Sequence, residues 1–239
     1  MSIRASLADE IDQMKLVTGI ASPPSRERIA QYLQYPIGDD RNRLLDERIS
    51  EAMAELLSLA VPRGGYVLKK RQPDLTEMAH LPEPAADAEF VAFGLSTIGD
   101  ALETRIDELV RSGDSLRAMI LDSLGSAAVS EFAVPLAEVI RSKAQAAGLS
   151  ATRAFSPGAG SSHWPIENQR YVFENIDADG IGIQLSRTYT MSPNKSLSFI
   201  IGLGRNVVHA EHAFSCEGCV RRDCTYRFTP GQAARMPSY

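Results

Sequence analysis

The order of elements in this chain predicts an α+β fold, and three observations carry that expectation. Apolar residues recur at helical spacing in the N-terminal third and again over a long central stretch. Two apolar runs of strand type, residues 65–71 and 89–96, stand apart between those helices. After Gly148 the texture changes to a strand, a loop, a helix and a hairpin. Strict strand–helix–strand alternation is missing, which argues against a doubly wound parallel sheet. With 239 residues, 44% of them hydrophobic, the chain is long and apolar enough for a substantial core and is not intrinsically disordered.

Along the chain, Ile3, Leu7, Ile11 and Met14 predict a helix over residues 3–17, which Ser22-Pro-Pro24 breaks. A short helix follows from Ser25 through Leu33. Residues 44–60 predict an amphipathic helix with Leu45, Ile49, Met53, Leu56 and Leu57 on one face, stopped by Pro62 and Gly64-Gly65. Pro73, Pro82 and Pro84 make residues 72–88 a loop. A helix over 101–112 takes Asp100 as its N-cap. The longest helical stretch, 114–147, holds the small-residue patch Gly125-Ser-Ala-Ala128, and Pro135 within it predicts a kink or a division into two helices. Residues 149–155 predict a strand and 156–162 a loop. A helix begins at Trp164-Pro165, with proline suited to the first turn. Residues 181–189 and 195–202 then alternate as two strands joined by Met191-Ser-Pro-Asn194, a hairpin.

Composition narrows the function classes. Twenty-five Lys and Arg against 30 Asp and Glu give a net charge of −5, so no basic field argues for nucleic acid. The N-terminus lacks the apolar core of a signal peptide and no run approaches the length of a membrane span, which predicts a cytoplasmic protein. No metalloprotease, Walker A, nucleophile-elbow or dinucleotide-binding motif is present. His80 lies in the proline-rich loop without a role.

The three cysteines, Cys216, Cys219 and Cys224, fall within nine residues, an odd and clustered set unlike a secreted disulfide framework. Soft thiolates at this spacing suit zinc or a [4Fe–4S] cluster, and His212 or His209 is available as a fourth ligand. Arg205, Arg221, Arg222 and Arg227 nearby favour the thiolate. A redox thiol site and inert packed cysteines are the other two readings.

Several blocks in collinear order, spanning about residues 26 to 228, resemble the activation domain of vitamin B12-dependent methionine synthase in its stand-alone form. They are Arg28-Ile-Ala-Gln-Tyr-Leu-Gln-Tyr35, Ala60-Val-Pro-Arg63, Leu95-Ser-Thr-Ile-Gly99 and Leu121-Asp-Ser-Leu-Gly-Ser-Ala-Ala-Val129. The most specific are Ser156-Pro-Gly158 with Trp164-Pro-Ile-Glu-Asn-Gln169, and Tyr189-Thr-Met-Ser-Pro-Asn-Lys-Ser196. The resemblance implies a curved, mainly antiparallel sheet with flanking helices. It divides the chain into an N-terminal helical extension (1–25), an activation-domain-like core (26–204) and a Cys-rich tail (205–239). It also implies binding of S-adenosylmethionine over cobalamin carried by a corrinoid-binding methyltransferase partner. A reductant such as flavodoxin or ferredoxin then supplies the electron that lets cob(II)alamin be reductively methylated. No residue of the chain acts as nucleophile, because cob(I)alamin is the nucleophile. Stand-alone relatives often carry a similar three-cysteine tail.

On this resemblance the cofactor-binding candidates are Arg153, Pro157, Gly158, Gly160, Glu131 and Lys195. Glycines open the backbone to a ligand, proline stiffens the turn, and an arginine can hold a carboxylate by two parallel hydrogen bonds. Ser-Pro-Gly is equally an ordinary tight turn, and Lys195 at a hairpin tip is equally a solvated lysine. His163 faces the ligand or lies on the loop surface. Aligned on Gly158, the arginine and aromatic positions of the family hold Ala154 and Ala159, and the acidic position on the long helix falls at Ser130, next to Glu131. Two other functions therefore stay open: a corrinoid-partner or small-ligand module that does not bind adenosylmethionine, and an iron–sulfur electron-transfer activator of corrinoid proteins.

Overall fold

A computed structural model describes residues 10–18, 23–34, 43–71, 81–159, 164–214, 216, 222–224, 226 and 227. Its centre is a curled antiparallel five-stranded sheet of order β1-β2-β3-β7-β4. The strands are β1 (Lys15–Thr18), β2 (Arg63–Lys70), β3 (Phe90–Thr97), β4 (Ser150–Ala151) and β7 (Ser196–Gly204). The helices are α1 (Arg26–Leu33), α2 (Arg43–Leu59), α3 (Ala101–Ser112), α4 (Ser115–Ala146), α5 (Gln169–Asn175) and α6 (Ala178–Ile181). A two-stranded ribbon, β5 (Gln184–Leu185) with β6 (Met191–Ser192), stands apart from the main sheet.

The period-two alternation of the long strands sorts their side chains onto two faces. Tyr66, Leu68, Ala92, Phe199 and Ile201 face the C-terminal half of α4, against Ala133, Leu136 and Ile140. Val67, Val91, Phe93, Leu95 and Ile200 face the other way, against Phe155, Trp164, Val172 and Ile181. Gly94 pairs with both Tyr66 and Phe199, and its missing side chain is the space into which the Phe199 ring lies. The N-terminal half of α4 packs instead on α2 and α3 through Ile49, Leu56, Leu102, Leu109, Leu121 and Leu124.

Four expectations change. Residues 15–18 are a strand, not helix: Asp12 and Lys15–Thr18 pair with β2, and Lys69 Nζ sits 2.6 Å from Asp12 Oδ1, so strand pairing overrides the helical period. Residues 3–9 of that predicted helix lie outside the described residues, as do 72–80 of the proline-rich loop, His80 included. Helix α4 runs as one element through Pro135, because Phe132, Ala133, Leu136 and Ala137 are buried on both sides of the missing amide bond. The hairpin is shifted: β5 pairs with β6, while β7 lies between β3 and β4. β4 is shorter than predicted, since Thr152 turns its carbonyl to Arg141 and its hydroxyl to the Gly202 amide.

By length and composition α4 would cross a membrane, yet 50% of its most apolar window is buried, the setting of a core helix. Gly125 in its middle leaves room for Leu102 and for the Lys195 stem, which gives the small-residue patch its purpose.

Candidate functional site

The loop after β4 is held to the sheet at Phe155, which bridges Ile200 through two 2.9 Å backbone bonds. Arg153 is half-buried, its guanidinium carbon 4.8 Å from the centre of the Phe155 ring, a cation–π contact. Pro157 is buried. Gly158 has φ +75°, a backbone conformation that favours glycine, and Ile166 packs against its α-carbon side. Its N–H donates to Trp164 O at 2.8 Å, and Ala159 N–H donates to Ser156 O at 3.2 Å. The Ser-Pro-Gly turn thus closes on Trp164 and Ile166. Gly160 and His163 lie outside the described residues.

Glu131 belongs to a different seam, between α1 and α4. Ser22-Pro-Pro24 precedes α1, and Ser25 caps it by accepting from Arg28 N–H. The same hydroxyl donates to Glu131 Oε1 at 3.0 Å, and Arg28 Nε donates to that oxygen at 3.3 Å. Arg28, at 9% side-chain exposure, is nearly buried, and Gln31 accepts a second guanidinium bond at 3.2 Å. Tyr32 Oη lies 2.7 Å from Ser130 Oγ, so Ser130 is also engaged. From the tail, the Tyr226 carbonyl accepts from the Gln31 amide and its ring centre lies 5.8 Å from that of Tyr32.

Lys195 is buried, contrary to a solvated hairpin-tip lysine. Its Nζ donates to Asp122 Oδ1 at 2.7 Å and Ser126 Oγ at 2.9 Å. Glu103 accepts from the Lys195 N–H and from the Asn194 amide, at 2.9 and 3.3 Å, which bolts the turn to α3. Asp122 and Glu131 are nine residues apart on α4, about 14 Å along the axis. Arg153, Pro157 and Gly158 share the loop, Glu131 lies in the α1 seam, and Lys195 immediately precedes β7. Beside the Lys195 turn, Arg63, Thr97, Asp100, Asp179, Ser192 and Pro193 line a polar cleft of about 360 Å³.

In the tail, Cys216 and Cys224 are half-buried and are not disulfide-bonded among the described residues. Arg227 joins them through the backbone: its guanidinium donates to Cys216 O at 3.0 Å and its N–H to Cys224 O at 3.0 Å. His209 and His212 are exposed. Cys219 lies outside the described residues, and among the described residues no three His, Cys, Asp or Glu side chains group as a metal site.

Sequence reasoning missed two residues that organise this region. Arg28 partners Glu131, and Arg141, 8% exposed, donates from α4 to the carbonyls of Thr152, Ala210 and Glu211. Its only signal in the sequence is an arginine on the apolar face of a helix, between Ile140 and Ala144. Elsewhere, burial pushes the Glu55 carboxyl up, but hydrogen bonds from Arg105 and Arg117 outweigh it and hold the group below its ordinary value. Those bonds measure 2.6 Å from Arg105 and 2.7 Å from Arg117.

No family model and no curated protein sequence matches the chain. Thirteen solved chains do match. One is a crystal structure of the MetH reactivation domain bound to AdoHcy, with a TM-score of 0.59 and 14% identity, covering 84% of this chain and 81% of that one. The mixed helix and sheet architecture of this chain is accordingly the fold of the MetH reactivation domain.

Proposed function

We propose that the chain is a stand-alone reactivation module for a corrinoid-dependent methyltransferase, binding S-adenosylmethionine for the reductive methylation of cobalamin carried by a cytoplasmic partner. The observation that carries this reading is fold likeness over 84% of the chain to a domain solved with AdoHcy. The collinear motifs, Ser156-Pro-Gly158 above all, support it. The corrinoid, when the partner brings it, supplies the nucleophile, and flavodoxin or ferredoxin supplies the electron. This chain's own work is to bind, orient and exclude water. In this reading Arg153, whose guanidinium stacks on Phe155, holds the ligand carboxylate by two hydrogen bonds. In this reading, too, Glu131 accepts a ligand donor at Oε2, since its bonds to Ser25 and Arg28 both fall on Oε1.

Calorimetry with AdoHcy and with S-adenosylmethionine tests the reading. Saturable binding with a Kd below about 1 mM is expected, weakened about tenfold by Arg153→Ala. Absence of heat at millimolar ligand overturns it.

One observation favours a second reading. Alanine stands at both family ligand positions of the loop, Ala154 and Ala159, and Glu131 is already paired with Arg28. A module that docks on a corrinoid protein without an adenosyl ligand accounts for both. Co-purification with a corrinoid protein together with no adenosyl binding supports it. The iron–sulfur alternative rests on the thiols alone, and a colourless protein after anaerobic purification removes it.

A further inference from the structure

We infer that the polar cleft beside the Lys195 turn binds a small zwitterion, a free α-amino acid, at a site separate from the Arg153 loop. This goes beyond the adenosyl-ligand reading and does not depend on it. Strand register builds the floor of the cleft. Arg63 of β2 stands across from Thr97 of β3, and Thr97 across from Ser196 of β7, so the three side chains share the face opposite α4. Asp179 from α6, Ser192 from β6 and Asp100 at the start of α3 complete the lining. The space is about 360 Å³, at the small end of the roughly 300–1,000 Å³ of small-molecule sites. The bridge that holds the Arg153 loop, Phe155 to Ile200, lies four residues further along β7, about 13 Å away.

Arg63, Asp100 and Asp179 line one space, yet among the described residues their side chains make no hydrogen bond or ion pair. Elsewhere opposite charges that meet are joined, Glu55 to Arg105 and Arg117, Lys143 to Glu10. Here the Arg63 guanidinium lies against the Gly182 turn, where an added Cβ would come 3.2 Å from its Nη1. Asp100 sits at the N-cap of α3 but makes no capping bond, unlike Ser25 and Asp114 on their helices, so its carboxylate stays free. Ser196 Oγ is buried without a partner, whereas Thr97 Oγ1 beside it donates to Lys195 O and accepts from Gly99 N–H. A buried hydroxyl left in that state costs free energy that a ligand atom recovers. A simple anion in this cleft meets two carboxylates, and a simple cation meets a guanidinium. A molecule carrying both charges satisfies all three, its carboxylate on Arg63 by two parallel bonds and its ammonium on Asp100 and Asp179.

The test screens the full chain by ligand-detected NMR against each standard L-amino acid at millimolar concentration, followed by calorimetry on those that bind. At least one should bind with a Kd below about 1 mM. Arg63→Ala, Asp179→Asn and N-acetylation of the amino acid should each weaken it about tenfold. Ser196→Ala should weaken it about fivefold with no fall in melting temperature, because the hydroxyl it removes has no partner in the free protein. Absence of binding by every amino acid overturns the site. So does an affinity that Arg63→Ala leaves unchanged, or an N-acetyl derivative that binds as tightly. AdoHcy, titrated in parallel, keeps the two readings apart. AdoHcy bound equally by wild type and Arg63→Ala supports two sites, and AdoHcy lost on Arg63→Ala puts its amino-acid end in this cleft and overturns the separate site. An amino acid that binds where AdoHcy does not supports the cleft and overturns the adenosyl reading alone.

Discussion

The sheet core and the ligand edge of this chain contrast in how their positions are filled. In the core, interlocking apolar faces meet in the spaces between strands: Leu136 and Ile140 against Phe199 and Ile201 on one side, Phe155 and Trp164 against Phe93 and Ile200 on the other. Any sequence of comparable volume and pattern fills those spaces, which is how a fold persists at 14% identity. Along the edge from Ser25 to Tyr226 many contacts are polar, and several groups have partners within the chain. Glu131 belongs to Arg28 and Ser25, Gly158 N–H to Trp164, and Ala154 N–H to Ala213. The contrast teaches that apolar packing carries the architecture while the edge is tied by specific polar pairs.

Perturbing the two regions should therefore separate stability from binding. The largest effect is expected from Leu124→Ala, which leaves a cavity where α4 meets α2 and α3 and costs about 3 kcal/mol in denaturant unfolding. If the loss appeared in ligand affinity instead, the division between core and edge would fail.

Next, Glu55→Gln should cost roughly 2 kcal/mol at neutral pH by removing the partner of Arg105 and Arg117. Because the folded carboxyl titrates below its unfolded value, its contribution is complete above about pH 4.5. It is lost as pH falls through the folded value, so wild type and variant should converge in acid. A gap that stays constant across the urea–pH series contradicts the pairing.

Lys195→Met, which keeps the stem beside Gly125 but deletes the ammonium, should cost about 1 kcal/mol, since Asp122 remains half exposed and rehydrates. AdoHcy affinity should be unaffected, whereas a large affinity loss would return Lys195 to the ligand site. The smallest stability effect, about 0.5 kcal/mol, is expected for Glu131→Gln, whose amide oxygen still accepts from Ser25 and Arg28. A melting shift comparable to that of Leu124→Ala would show the edge to be structural after all.

Much of the fold was legible because it rests on local signals. The extent of α1, the period of α2, the apolar runs of β2 and β3 and the span of α3 all lie where pattern alone puts them. What escaped depends on partners far along the chain. β1 exists because β2 offers an unpaired edge, and β7 pairs with β3 across about a hundred residues of sequence rather than with its near neighbour. The site suffered more for the same reason. Lys195 looks solvated until α4 brings Asp122 to it, and nothing near Glu131 in sequence announces Arg28.

Pairing of Ala210 and Ala213 with Ala151 and Ala154 has a consequence for how copies of this protein meet one another. β4 is the last strand on its side of the sheet. Without residues 210–213, the Ala151 carbonyl and the Ala154 amide would stand open as a template for strand addition by a second chain. Capping that margin keeps the sheet from growing outward. Deleting residues 210–213 would bare an adhesive border to the next copy of the chain.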